Sequence, residues 1–356
     1  MALLKNKIRK NLSSEQREIA RIKKYLANPM SQFIILGVII ILSVFITPLI
    51  GLAGIPNAIG NTVVYAIIAI GFCLLLGYSG LASLGTAGFA GVGAFAAYYA
   101  LHGMGMSFFT ALILAILAAF VIGIIVGFIS LRIEGLYLGI LTLGLAEILF
   151  EVFLLQGGSI SLGRREITLF FSVLNEQAVI VVITVLFVIL LILTKNLIDS
   201  PTGRAMLAMK NSTSAAQAMG ISLLKYRLMA FIISTIYAAI GGMLHLMLNT
   251  YINCSDGLFL NLSMSLNILG AVIVGGSKSL WGTIFGTLLI FGIQNIFLIN
   301  IPFFADNKEF MSIVSGVLII VVVMFYPGGL AQLALEIKTK IKAWIIKRRA
   351  KKYGTY

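Results

Sequence analysis

Charge is scarce in this chain. Only 11% of its 356 residues are Asp, Glu, Lys or Arg, against roughly 25% in a soluble domain. That leaves too little polar surface to face water on all sides. The two histidines, His102 and His245, have no second ligand at metal spacing, which points to structural or interfacial roles. The two cysteines, Cys73 and Cys254, give neither a metal spacing nor a disulfide framework. One falls in an apolar run and the other in a loop expected on the opposite side, so no pairing is expected. No phosphate loop is present. GGSKS at 275–279 lacks the G-x-x-x-x-G-K-[ST] spacing and follows a membrane segment rather than a soluble strand. Any ATP dependence must therefore come from another subunit. Glu147 and Glu151 make the one carboxylate pair in a long apolar run, and nothing else in the sequence completes a catalytic site. These absences exclude an enzyme, a metalloprotein and a nucleotide-binding protein.

Long hydrophobic runs fill the space that charge leaves. Apolar residues make up 60% of the chain and the mean hydropathy is +1.06. A helix needs about 20 apolar residues to cross the hydrocarbon core. Ten runs qualify or nearly so: 33–50, 58–77, 82–101, 108–130, 136–155, 178–194, 226–248, 262–277, 281–299 and 311–326. The polar N-terminal region extends to about residue 30 and the next run is long enough to span, so no cleaved signal peptide is expected. The net charge of +14 is concentrated at the ends and in one loop. With ten spans and both termini in the cytoplasm, 23 of the 26 Lys and Arg residues fall inside, as the positive-inside rule requires. Arg164, Arg165 and Lys308 are the exceptions. Such placement indicates contact with anionic lipid, not nucleic acid. The expected organisation is a basic cytoplasmic segment at 1–32, a transmembrane domain at 33–326 with its largest cytoplasmic loop at about 195–225, and a basic tail at 327–356.

The third and eighth spans are weak, being short, Gly-rich or partly polar. They share a look, SLGTAGF at 83–89 and SLWGTIF at 279–285. Lying five spans apart, they would run in opposite directions. Gly-interrupted segments at matching positions of two inverted halves point to a transport path, although small residues at this spacing also serve close helix packing.

The cytoplasmic loop carries a stretch that is neither span nor core, NSTSAAQAMGI at 211–221. Upstream, Ser200 can cap a helix, Pro201 suits its first turn, and Met206, Leu207 and Met209 give it an apolar face. NSTS then offers new N-caps, AAQAM a short helix, and Gly220 a residue able to end it at positive φ. Two short helices in series would present small side chains at 215, 216 and 219 to something else.

The spacing of Ala215, Ala216 and Gly220 resembles the core of the EAA-type loop of ABC importer permeases. The string SPTGRAMLAMKNSTSAAQAMGIS resembles the corresponding loop of the branched-chain amino-acid permeases of the LivM type. The likeness runs from about residue 58 through GYSGLASLGTAGFAGVGAFAA (77–97), RIEGLYLGILTLGLAEIL (132–149), VGGSKSLWGTIFGT (274–287) and FYPGGL (325–330), in the same linear order. It implies an all-α polytopic membrane protein of about ten transmembrane helices in two inverted-topology repeats, some of them short or Gly-interrupted. It implies a place in the bacterial cytoplasmic membrane and the import of branched-chain amino acids. The implied partners are a second permease subunit, two ATP-binding subunits that use ATP and Mg, and an extracytoplasmic substrate-binding protein that docks near QGGSISLGRRE (156–166). Ala215, Ala216, Met219 and Gly220 would couple to the ATPase, and Gly85, Thr86, Glu147, Gly275 and Gly276 would line the path. For Glu147 and Glu151, which share one helix face, a structural partner or an interfacial position is the competing account.

Three departures stand out. Ser214 occupies a position usually acidic, Lys210-Asn211-Ser212 replaces earlier acidic residues, and Thr86 stands where a His is common. Related permeases for urea, nucleosides or sugars are the alternative within the family. An ion-coupled secondary transporter also fits the composition, but the Ala-Ala-x-x-x-Gly loop and the shortage of intramembrane charge favour the ABC assignment.

Overall fold

The computed structural model describes residues 29–49, 54–130, 136–163, 167–169, 172–173, 175–253, 260–298, 301, 308–326, 328–333, 336 and 339. The basic N-terminal cluster, Arg132, Arg164, Arg165, Cys254 and most of the basic tail lie outside the described residues.

The chain folds as an all-α membrane bundle. Its helices are α1 (Pro29–Leu49), α2 (Ile55–Cys73), α3 (Thr86–Tyr98), α4 (Phe108–Ser130), α5 (Leu136–Leu155), α6 (Glu176–Asp199), α7 (Pro201–Asn211), α8 (Thr213–Ala218), α9 (Leu223–Asn249), α10 (Leu262–Gly275), α11 (Leu280–Thr287) and α12 (Lys308–Phe325). A helix occupies each of the ten apolar runs. Among the described residues, six helices are long and apolar enough to cross a membrane, α2 with its π-helical extension among them; α10, α12 and the α11 run are shorter apolar helices. Wider π-helical turns extend α2 over Leu74–Ser79, α3 over Tyr99–Gly103 and α11 over Leu288–Phe297.

The two ends of the bundle differ. One carries α7, α8 and the α10–α11 turn, and is called the loop end below. The other carries short strands. β1 (Ser159–Ser161) pairs antiparallel with β4 (Tyr251–Asn253), placing Ile160 opposite Ile252, and β2 (Thr168–Leu169) pairs with β3 (Ser172–Val173). The QGGSIS segment thus contributes a strand that staples the end of α5 to the end of α9.

Packing follows a five-span exchange. At the centre α2 and α9 run antiparallel, with Gly60 against Leu248, Gly241 against Ile68 and Gly71 against Tyr237. α9 packs on α3 and α4, and α2 packs correspondingly on α10 and α11. α3 rests on α4 and α5 as α10 rests on α11 and α12, while α1 lies beside α6. Glycines permit the tightest crossings. A Cβ on Gly93 would overlap the Ala239 backbone, and one on Gly242 the Ala90 backbone. Threonine hydroxyls inside the spans, Thr62, Thr184 and Thr194 among them, return to their own helix, as Thr62 does to the Ala58 carbonyl at 2.8 Å, which satisfies them without water.

One detail of the expected repeat is corrected. SLWGTIF does not lie in the eighth span but opens the ninth, where Ser279 Oγ accepts from Gly282 N at 3.1 Å and caps α11. The counterpart of the broken third span is α10 itself.

Candidate functional site

The third span is helical only from Thr86 onward. After the π-helical end of α2 the chain turns at Gly80 (φ 75°) and runs without helix from 80 to 85. Leu81, Ser83 and Gly85 are buried there, and α3 begins at Thr86, itself 4% exposed. Non-helical backbone at membrane depth survives only when protein satisfies it, and hydroxyls do so here. Thr142 Oγ1 of α5 accepts from Leu84 N at 3.0 Å and Ser83 Oγ accepts from Gly85 N at 3.3 Å. Ser265 Oγ of α10 accepts from Ala87 N at 3.0 Å. Thr142 lies six residues into α5, so this junction sits about 9 Å inside the bundle along that helix.

Ser265 is also in the first turn of α10, a helix of 14 residues, and α3 has 13. At 1.5 Å per residue α10 is about 20 Å long and α3, with its π-helical turns to Gly103, about 25 Å, both short of the roughly 30 Å hydrocarbon core. Two short helices from opposite halves of the chain therefore meet start to start inside the bundle. This is the arrangement that places the positive ends of helix dipoles at the middle of a membrane path. Because Ser265→Ala would strand a buried N–H, we expect it to cost about 1–3 kcal/mol, read as a lowered midpoint in detergent thermal unfolding. Thr142→Ala should cost a similar amount, and an unshifted midpoint in both would show that the hydroxyls are dispensable.

The expected path residues do not all gather at this junction. Gly85 and Thr86 do. A Cβ on Gly85 would come within 2.8 Å of the Thr142 carbonyl oxygen. Gly275 and Gly276 sit at the other end of α10, about 15 Å from Ser265 by helix rise. There Gly275 packs backbone to backbone on Gly282, and Gly276 (φ 101°) makes the turn into α11 against Gly329. Glu147 is exposed on the outside of α5, as is Glu151, on a face shared with Tyr137, Ile140 and Leu155. It does not line the interior of this chain. Helical phase is the reason: the α5 face bearing Thr142 turns inward and carries the carboxylates out.

At the loop end the short helices form as the sequence anticipates. Ser200 Oγ accepts from Gly203 N and Ser212 Oγ from Ala215 N, each at 3.3 Å. Gly220 ends α8 at φ 79°, and Ile221 N closes the stop on the Ala216 carbonyl at 3.0 Å. The outward face needs one correction. Ala216 is 2% exposed and belongs to the core, whereas Ala215 and Gly220 are exposed and Met219 is 82% exposed. α8 rests on α7 and α9, and its buried residue is Ala216. Sequence reasoning missed Ser83, Thr142, Ser265 and the inward course of Lys210. Their signal was a hydroxyl or an ammonium beside an apolar run, visible but without an address.

The comparisons with known proteins bear on this arrangement. The family described as branched-chain amino acid transport system / permease component matches residues 54–323. The chain belongs to that family. Two relatives are each named high-affinity branched-chain amino acid transport system permease protein LivM, one from Salmonella typhimurium and one from Escherichia coli. Each is 27% identical over 76% of this chain and 68% of its own length. The probable ABC transporter permease protein YphD of Escherichia coli is 30% identical over 34% of this chain and 36% of its own length. No solved structure matches. Members of this family are permease components and not enzymes, and the matched region takes in the short helices α3 and α10, the 195–225 loop and the strands that staple α5 to α9. The permease is a multi-pass membrane protein whose discontinuous spans meet at Ser265.

Proposed function

We propose that this permease is one of two membrane subunits of an ABC importer for branched-chain amino acids in the bacterial cytoplasmic membrane. ATP and Mg are used by two separate ATP-binding subunits, and an extracytoplasmic binding protein delivers the solute at the strand end. The observation that carries this reading is the capped stretch 212–221, which offers Ala215, Met219 and Gly220 to a partner while Ala216 anchors it to the bundle. Both termini lie in the cytoplasm with the loop end. The basic segments 1–32 and 327–356 flank the permease domain 33–326 and rest on anionic lipid.

The junction of α3 and α10 is the part of the path that meets the solute's carboxylate, with Gly85 and Thr86 at its edge. Gly275 and Gly276 serve the path as a pivot. A carboxylate such as Glu147 facing hydrocarbon costs roughly 2.5–3.5 kcal/mol. The outer face of α5 is therefore where the second permease subunit sits, and Glu147 belongs to the space between the two.

Reconstitution tests the reading. In vesicles the purified chain alone should show neither ATP hydrolysis nor uphill leucine uptake, and adding the ATP-binding subunits and binding protein should confer both. Uptake driven by a proton or sodium gradient with this chain alone would refute it. Orientation has its own test. Exposed Ser161 in β1 and exposed Ser214 in α8 lie at opposite ends. In a background lacking both native cysteines, an impermeant thiol reagent applied to intact cells should label Ser161→Cys and spare Ser214→Cys. The reverse pattern would invert the topology.

A further inference from the structure

Lys210 stands in the last turn of α7, two residues before the cap of α8. It replaces residues that are acidic in the resembling loops, and it does not face outward. Its ammonium donates to the Leu76 carbonyl at 3.0 Å and to the Gly77 carbonyl at 2.8 Å, both in the π-helical end of α2. Last-turn carbonyls lack intrahelical donors and carry the negative end of the helix dipole, so they form a natural seat for a cation. The lysine stem crosses Gly80, where a Cβ would come within 3.1 Å of Lys210 Cγ. Burial, and Lys278 nearby, push the Lys210 ammonium below the usual lysine range, with an opposing pull from Cys73. The two carbonyls satisfy its donors in that place.

The same end of α2 grips the other half of the chain. Cys73 Sγ donates to the Ser277 carbonyl at 3.2 Å, Tyr78 Oη donates to the Lys278 carbonyl at 3.0 Å, and Gly77 lies so close to Ser277 that no Cβ would fit. Three residues beyond Gly77 the non-helical segment begins and leads to α3, and the turn at 276–279 ends α10. The docking stretch is thereby joined through one side chain to the segments that lead into α3 and out of α10. A cavity of about 710 Å³, lined by Lys210, Gly80, Gly276, Lys278 and Gln332 among others, lies beside this contact. It leaves room for the contact to shift.

We propose that Lys210 is the pin that carries movement of the docking stretch to the start of α3 and the end of α10. It is a positioning residue for coupling, and its role rests on the importer reading above. Lys210→Met keeps the aliphatic stem but removes both charge-assisted bonds, and Lys210→Arg keeps donors for the carbonyls. In vesicles holding the full complex, Lys210→Met should still bind the ATP-binding subunits and hydrolyse ATP near the parent rate. Leucine uptake should fall at least about tenfold, so that ATP spent per solute rises by the same factor. Lys210→Arg should restore uptake to within about threefold of the parent. Uptake and stoichiometry of Lys210→Met equal to the parent would overturn the pin. So would failure of both variants to accumulate in the membrane, because Lys210 would then be a folding element only. A parent complex that spends no ATP on uptake would overturn the importer reading, and the pin with it.

Discussion

Gly242→Leu will leave almost no folded permease in the membrane, and Gly316→Ala will leave the amount unchanged. At Gly242 even a Cβ would overlap the Ala90 backbone of α3. Overpacking usually costs about 1–3 kcal/mol because neighbouring side chains turn aside. Here the obstacle is backbone, and the reciprocal contact, Gly93 against Ala239, is also backbone. Relief would require α3 and α9 to separate along the whole crossing, which would also pull Ala87 N from Ser265. The cost should exceed the upper end of that range, beyond what a marginally stable fold tolerates. Gly316 is the control, since a Cβ there would meet nothing within 4 Å and alanine gains about 0.5–1 kcal/mol of helix propensity. The measurement is the monodisperse fraction after detergent extraction. Parent-like recovery of Gly242→Leu would mean that α3 and α9 do not cross where the structure places them.

This crossing also marks what the sequence could and could not say. All ten apolar runs, the caps at Ser200 and Ser212 and the stop at Gly220 were legible because each depends on residues within about four positions. Gly93 and Gly242 read as two glycines among 36, since their partners lie some 150 residues away in the chain. The same limit hid Ser265, whose hydroxyl looked like one polar interruption in LSMSLN until the fold set it under Ala87. The staple between β1 and β4 escaped for a different reason. Three residues, SIS, carry too short an alternation to distinguish a strand from a turn. A carboxylate in a span suggests an interior, but the helical phase of α5 turns Glu147 to the exposed outer face of this chain, which a single run of apolar letters does not reveal.

Ala216 was misjudged because a helix of six residues has less than two turns, so period alone cannot choose its buried face. The structure makes that choice, and with it a sharp pair of predictions. Met219→Asp should leave the permease folded and strip it of its ATP-binding subunits. With Met219 82% exposed, its replacement should alter stability by no more than about 0.5 kcal/mol. If the partner's cleft covers it, about 1.5–3 kcal/mol of apolar burial is lost, and a carboxylate is left to be desolvated. A loss of about 2 kcal/mol weakens association some thirtyfold. Ala216→Trp should behave differently. At 2% exposure the indole has no room between α8 and the bundle, and overpacking of about 1–3 kcal/mol should lower the thermal midpoint and dislodge α8 before any partner arrives. Gly220→Val should fall between them, since a β-branched residue at φ 79° is strained by about 1–3 kcal/mol at a position otherwise open to solvent. Thermal midpoint and ATPase co-purification, measured together on the three variants, separate a docking surface from a connector. If Met219→Asp retains its ATP-binding subunits as the parent does, α8 is a connector, and the partner docks elsewhere on the loop end.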